Sequence, residues 1–518
     1  EGKAEAKSGA EQPAGTKAKK NEPLAIAFDG IRERLTLLPV GMSAVHPMIS
    51  PDGKTVVFSS MVGNHSNLYA WSLDETAKEP PVARQLTTTP ARKSDYYFTP
   101  DSKALVYLEN GQPHQVAVEG HESKAIPVTA SLEVDFNQDK QVAFDEAWSV
   151  LNRFFYDAKF NGQNWTALRD EFEPFIEGAR TGDEMRRDIN LMIGELNSSH
   201  TGIGHMAEPN VRTGRLGLRF VREDYEAGKG LVVREVVPLG PAAVEGSIKP
   251  GEKLLAVNGQ ELGPHTNLDH LLEDQVGRRV VLRMAGTDGK ERDAVVKPVD
   301  TAEEAGLLYR AWVEQNRAMV DKLSHGRLGY VHLADMSDHA LKQLYIDLDA
   351  QNEGKDGVVV DVRNNNGGYV NGYALDVFTR KNYLLMTTRG YPTVPSRQVL
   401  GQRALGKPTI LLTNESSLSD AEDFTEGYRE LHLGKVVGTP TAGWIIYTGG
   451  RELIDGSVVR VPFTRVQDLR GQTMEMHPRA VDVEVVRQPG ETLDDTDSQL
   501  ARAVTELLEQ IGSPQKRD

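Results

Sequence analysis

Two nearly unbroken apolar runs constrain this chain more than any other feature. GVVVDVR at 357–363 and PTILLTN at 408–414 are short, rich in branched side chains and nearly free of polar alternation. Runs of this kind read as strands buried on both faces, the condition found inside a parallel sheet. Parallel strands need crossover connections, usually helices, and cover on each face. The flanking sequence supplies them. LGYVHL (328–333) predicts a strand before a helix near 337–351. A helix is predicted from Ser419 to about Leu431, then a strand at KVVG (435–438), and a last helix near 496–511 that packs on the sheet. Residues 300–518 are therefore expected to form an α/β domain with its ligand-binding loops at the strand ends.

At 518 residues the chain has room for about three to five domains. Residues 1–22 are mostly Ala, Lys, Glu and Gly, which cannot bury enough surface to offset ordering entropy, so a disordered linker is expected there. Residues 24–132 read as all-β. HPMISPDGKTVVFSS and YYFTPDSKALVYLE repeat one pattern, a Pro-Asp turn and then an alternating strand, with the turns starting at Pro51 and Pro100, 49 residues apart. That spacing suits β-propeller blades. Propellers have roughly 4–8 blades and this segment holds about two, so a partial β-propeller is expected, the remainder lying on another chain or removed. Residues 133–210 predict a small helical module, with helical stripes in FDEAWSVLNRFFYD and EMRRDINLMIGELNSSH. Residues 211–299 are β-rich, from LGLRF to the run GPAAVEGSIKPGEKLLAVNGQEL, and 303–323 are helical again.

The formal charge of −16 disfavours nucleic acid and anionic membranes as partners. No stretch approaches the roughly 18 apolar residues of a membrane span. With no cysteine, thiolate nucleophiles, disulfides and cysteine zinc sites are excluded. The chain begins at Glu1 rather than Met, which reads as a fragment or processed form.

Four motifs can carry chemistry. In NESSLSDAEDFTEGYREL (414–431), Ser419 stands where a buried strand gives way to a helix. It is either an ordinary N-cap or a nucleophile, with the Asp420 N–H and the helix dipole placed to stabilise an oxyanion. In DVRNNNGGYV (361–370), the Gly367–Gly368 pair either supplies positive φ to a turn or lets the backbone donate to a substrate carbonyl. In LNSSHTGIGH (196–205), His200 is a candidate base for a serine hydroxyl, with His205 its local competitor. In MEMHPRAVDVEV (474–485), Glu475 is either a solvated strand residue or an orienting carboxylate.

In this order the motifs resemble the tricorn proteases, a branch of the C-terminal processing peptidase clan. The resemblance runs over most of the chain and implies a partial β-propeller, a helical module, a PDZ-like module at 211–299 and a crotonase-like α/β core. It implies Ser419 as nucleophile, His200 as general base, Ser199 as a bridging hydroxyl and Glu475 as the acid, with Glu484 as the alternative. It places the oxyanion hole on Asp420 and on Gly367 or Gly368. No metal or organic cofactor is implied. The implied partners are peptide substrates and further copies of the chain, a hexamer being frequent in the family. The implied location is cytoplasmic, with periplasmic or secreted as the alternative.

The segment after Glu475 lacks the family's Asn-x-Gly and the Pro before Asp482. The archaeal enzymes select basic P1 side chains with an acid after the Gly-Gly turn. Here no Asp or Glu lies between Val377 and Asn414, while Arg380, Lys381, Arg389, Arg397, Arg403 and Lys407 do. A hydrophobic or acidic P1 is as plausible. The clan's other branch uses a Ser-Lys dyad, but GTPTAGWIIYTGG (438–450) contains no Lys. The leading expectation is a serine peptidase for short or unfolded peptides. The alternatives are a non-catalytic peptide-binding scaffold and, more remotely, an acyl-CoA enzyme of the crotonase type. The PDZ-like module either captures a peptide by strand addition or only packs.

Overall fold

The computed structural model describes residues 27–512 apart from 63–64, 75, 77–79, 121, 130, 132, 206–211, 265, 353, 397–403 and 493–495. The linker expected over 1–22, with Arg397 and Arg403, lies outside the described residues. The chain divides into two compact units, 1–133 and 134–518.

The first unit holds two four-stranded antiparallel meanders. One is β1 (Val45–Ile49), β2 (Thr55–Val62), β3 (His65–Ser72) and β4 (Arg84–Gln85); the other is β5 (Lys93–Phe98), β6 (Ala104–Glu109), β7 (Gln112–Ala117) and β8 (Ser123–Ala125). The repeated turn has one chemistry in both copies. Asp52 Oδ1 accepts from Ser50 Oγ at 2.6 Å and the Lys54 amide at 3.1 Å, and Asp101 Oδ1 accepts from Thr99 Oγ1 and the Lys103 amide at the same distances. Such Asx turns fix the entry to the following strand. Val57, Leu68 and Leu86 of the first meander share one core with Leu105, Tyr107 and Val116 of the second.

In the second unit, helices α1 (Phe136–Phe154), α2 (Trp165–Gly178) and α3 (Gly182–Gly194) pack around Phe144, Leu151, Trp165 and Ile189. Each starts on a side-chain cap, from Asp135, Asn164 and Thr181. Strand β9 (Gly202–His205) follows.

A mostly antiparallel module comes next: β10 (Leu218–Phe220), α4 (Arg222–Glu226), β11 (Leu231–Val236), α5 (Pro241–Glu245), β12 (Lys253–Val257), β13 (Gln260–Glu261), α6 (Leu268–Leu271), β14 (Val280–Ala285) and β15 (Glu291–Val296). Its core is Leu216, Val233, Leu254, Leu282 and Val296.

Helix α7 (Thr301–Leu323) leads to β16 (Leu328–His332), α8 (Asp338–Ile346), β17 (Gly357–Asp361), α9 (Asn371–Thr379), the short pair β18 (Leu385–Met386) and β19 (Val394–Pro395), β20 (Thr409–Thr413), α10 (Asp420–Glu430) and β21 (Val436–Gly438). Then come β22 (Ile446–Glu452), β23 (Ser457–Arg465), β24 (Val483–Glu484) and α11 (Ser498–Ile511).

Strands β16, β17, β20, β21 and β24 lie side by side in chain order, every neighbouring pair parallel. The apolar runs are buried on both faces, as their composition requires. Val358 and Val360 point to a layer with Phe424 and Tyr428 of α10. Val359, Ile410 and Leu412 point to the opposite layer with Leu500 and Leu507 of α11. Strand order never reverses, so no crevice opens at a switch point of the kind doubly wound sheets use. The chemistry gathers instead where the loops leaving adjacent strands β17 and β20 run side by side.

Candidate active site

The loop after β17 starts from a buried anchor. The Arg363 guanidinium, 2 % exposed, pairs with Asp361 at 2.7 Å and Asp497 at 2.9 Å. Burial works against this cation, but the two carboxylates hold its pKa above the usual range. Beyond it, Asn365 donates to Leu333 O at 2.9 Å and accepts the Gly367 amide at 2.8 Å. Gly367 has φ 83°, and a Cβ there would stand 2.4 Å from Ser419 Cβ. At Gly368 a Cβ would stand 2.1 Å from Met336 O. Neither position has room for a side chain. With the Gly367 N–H taken by Asn365, the Gly368 N–H is the one of the pair without a partner among the described residues.

Ser419 ends the loop after β20. It occupies the N-cap position of α10, yet its φ of 58° and ψ of −127° are those of glycine backbone, and its side chain makes no cap hydrogen bond. A non-glycine residue held there costs about 1–3 kcal/mol. The surroundings enforce it: the Leu418 amide donates to Asn365 O at 3.0 Å and the Ser419 amide to Trp444 O at 2.8 Å. The hydroxyl has no hydrogen-bond partner among the described residues, and the Asp420 N–H is also unpartnered there. Trp444 is fixed in turn by Glu422 on α10, whose carboxylate accepts from the Trp444 amide at 2.7 Å, the Gly443 amide at 2.9 Å and Thr441 Oγ1 at 2.6 Å. Burial pushes the Glu422 carboxyl up despite these donors.

The same loop reaches Glu475. The Ile445 amide donates to Glu475 Oε2 at 2.9 Å. Glu475 also accepts from the Ser199 amide at 2.7 Å and from Ser199 Oγ at 3.1 Å. Ser199 Oγ lies 2.7 Å from His200 Nδ1. Because the Ser199 proton goes to the carboxylate, its oxygen accepts from Nδ1–H. His200 thus carries its proton on Nδ1 and leaves Nε2 able to accept one. Burial, with the nearby Arg460 charge, lowers the His200 pKa to about 4, so the ring is neutral at pH 7. Strand β9, just after His200, pairs with β23, and His200 O accepts from Thr448 Oγ1 at 3.1 Å.

Ser419, Asp420, Gly367, Gly368, Thr448 and Arg460 line one cleft of about 380 Å³. Asp423 and Tyr447 also reach it, and burial with the Asp420 charge pushes Asp423 up to about 7. His205 sits farther along β9 opposite Ser457, and Glu484 pairs with Gly438 in β24, so neither joins the Ser199–Glu475 chain. Asn365, Glu422 and Trp444 escape sequence reasoning. Of these only Glu422 leaves a trace, as an acid on the α10 face that must be buried.

Three family models match the chain: the tricorn protease C1 domain over 136–194, the PDZ domain over 206–273 and peptidase family S41 over 327–485. The chain belongs to the tricorn branch of the S41 peptidases. It is 31% identical over 386 residues to tricorn protease homolog 1 of Streptomyces coelicolor, covering 70% of this chain and 35% of that relative. It is 26% identical over 454 residues to the tricorn protease of Thermoplasma acidophilum, covering 83% and 40% respectively. The crystal structure of the tricorn protease superposes with a TM-score of 0.74 at 22% identity over 88% of this chain and 46% of that one, a likeness of fold. The chain thus spans about two fifths of the tricorn relatives it matches.

Proposed function

We propose that this tricorn-branch chain is a serine peptidase acting on short or unfolded peptides through an acyl-enzyme on Ser419. The observation that carries the reading is the Ser419 backbone, held at φ 58° with its hydroxyl released from capping the helix it begins. A helix start needs no such strain, while a nucleophile on a tight strand-to-helix turn gains exposure from it.

In this reading Ser419 Oγ attacks the scissile carbonyl and His200 Nε2 takes its proton. The Gly368 and Asp420 N–H groups receive the oxyanion. His200 then gives the proton to the leaving amine, and water, activated by the same ring, hydrolyses the ester. Glu475, acting through Ser199, keeps the ring in the Nδ1–H tautomer and stabilises it when protonated. The two meanders of the first unit fit blades of a partial β-propeller, and the parallel sheet with its strand-end oxyanion loop fits a crotonase-like core. A cytoplasmic setting and a homo-oligomeric assembly belong to the same proposal and rest on the tricorn likeness alone.

Fluorophosphonate labelling, mapped by peptide mass spectrometry, tests it. An adduct on Ser419 that disappears in Ser419→Ala, together with loss of peptide hydrolysis, is expected. A folded chain that takes no label and cleaves no peptide would leave a peptide-binding scaffold.

A further inference from the structure

Glu475 is held by more than its own hydrogen bonds. The segment 475–479 runs beside the loop 441–445. The Met476 amide donates to Gly443 O at 2.7 Å, the Thr441 amide to Arg479 O at 3.2 Å and the Arg479 amide to Thr441 Oγ1 at 2.7 Å. A Cβ at Gly443 would stand 2.9 Å from Pro478 Cδ, so the two segments are in close contact. The loop 441–445 is tied in turn to α10, where Glu422 accepts its donors and the Ser419 amide donates to Trp444 O.

The Arg479 side chain crosses this layer. Its Nη1 donates to Glu426 Oε2 on α10 at 3.2 Å, and its Nη2 donates back to His477 O at 2.7 Å. His477 Nδ1 donates to Glu475 O at 2.7 Å. One end of the guanidinium thus holds the helix, and the other holds the turn just past Glu475. Glu426 is seven residues on from Ser419 in that helix, about 10 Å along its axis. Phe424 and Tyr428 seat the helix in the core. Arg470 also pairs with Glu426, at 3.6 Å, but its side chain is 62 % exposed, and an exposed pair fixes little.

Stability does not account for Arg479. Its side chain is 11 % exposed, and its Nε is buried with no acceptor among the described residues. A buried ion pair gains little over an apolar side chain of similar volume. What an apolar side chain cannot do is hold two separate acceptors at once, a task suited to the planar fork. Arg479 also falls inside the stretch after Glu475 where the sequence departs from the tricorn pattern.

We propose that Arg479 is a positioning residue that fastens the Glu475 turn to the helix carrying Ser419, so that acid and nucleophile are held in register by one support. This rests on the reading of Ser419, His200 and Glu475 as nucleophile, base and acid.

The test uses the full chain and a fluorogenic peptide that it cleaves. Arg479→Met keeps an unbranched apolar stem and removes the fork. Its kcat should fall by about ten- to a hundredfold, the size expected when a catalytic group shifts by up to about 1 Å, with KM close to that of wild type. Arg479→Lys, which reaches one acceptor at a time, should recover part of the loss. The deciding measurement is the same change made in Glu475→Ala. There the loss of kcat from Arg479→Met should shrink to about twofold or less, because groups that act as a unit are not additive. An equal fold loss in both backgrounds, an unchanged kcat in a folded Arg479→Met, or a change confined to KM overturns the proposal and leaves the peptidase reading standing. Glu426→Gln weakens the same tie from the helix side and carries the same expectations, so poor folding of Arg479→Met does not shield the idea. Absence of fluorophosphonate labelling and of all cleavage in wild type removes the peptidase reading and this one with it.

Discussion

Glu475 grips Ser199 at two points, accepting its amide at 2.7 Å and its hydroxyl at 3.1 Å. The double hold fixes both the Ser199 backbone and the direction of its proton, and so decides which nitrogen of His200 carries hydrogen. Ser199→Ala should keep the backbone bond and lose only the relay. Glu475→Ala loses both and also frees the Ile445 amide. Steady-state hydrolysis should therefore fall more in Glu475→Ala, by about 10²- to 10⁴-fold, than in Ser199→Ala, with both far above Ser419→Ala. A larger loss in Ser199→Ala would contradict this ordering.

Burial lowers the His200 pKa to about 4, well below the ordinary imidazole value of about 6.5. The unfolded chain takes up a proton in that window that the folded chain refuses. Stability should then decline as pH falls from about 6.5 toward 4, while the basic form persists for catalysis. Melting curves between pH 7 and pH 4 should show a shallower decline in His200→Asn. The acid limb of kcat/KM should lie well below pH 6, and a midpoint at 6.5 would refute the assignment.

Gly367→Ala places a methyl 2.4 Å from Ser419 Cβ and demands a φ of 83° from a residue with a side chain. The left-handed conformation alone costs about 1–2 kcal/mol. Fluorophosphonate labelling should be lost while circular dichroism stays near wild type, because the clash is confined to the loop.

Arg363→Met should unsettle the fold itself. It leaves Asp361 and Asp497 buried without their cation. Removing one partner from such a cluster costs about 3–5 kcal/mol, which denaturant titration would read as a lower midpoint. Arg363→Met combined with Asp361→Asn and Asp497→Asn should recover much of that loss.

Much of this was legible before any coordinates. The apolar runs at 357–363 and 408–414 announced a doubly covered sheet because burial on both faces leaves no room for polar alternation. The repeated Pro-Asp turns announced the two meanders because Asx chemistry is local. What stayed hidden was long-range. Nothing near Ser419 says that its amide will meet Trp444 O, or that Glu422 will hold that loop in place. Nothing near Arg460 says that it will face the same cleft. The motif at 414–431 left cap and nucleophile equally open, since both put a serine at a helix start. Only the backbone angles, set by neighbours from two other loops, separate the two geometries.

The pairing of β9 with β23 joins residues far apart in sequence, Gly202 with Arg460, 258 positions on. The parallel sheet, by contrast, adds its strands in the order in which they are synthesised. Closing a long loop is slow relative to local structure. A chain cut short before β23 therefore leaves β9, just after His200, without the strand it pairs with. Folding order thus sets a late step of assembly: the strand that follows His200 stays unpaired until β23 has been made.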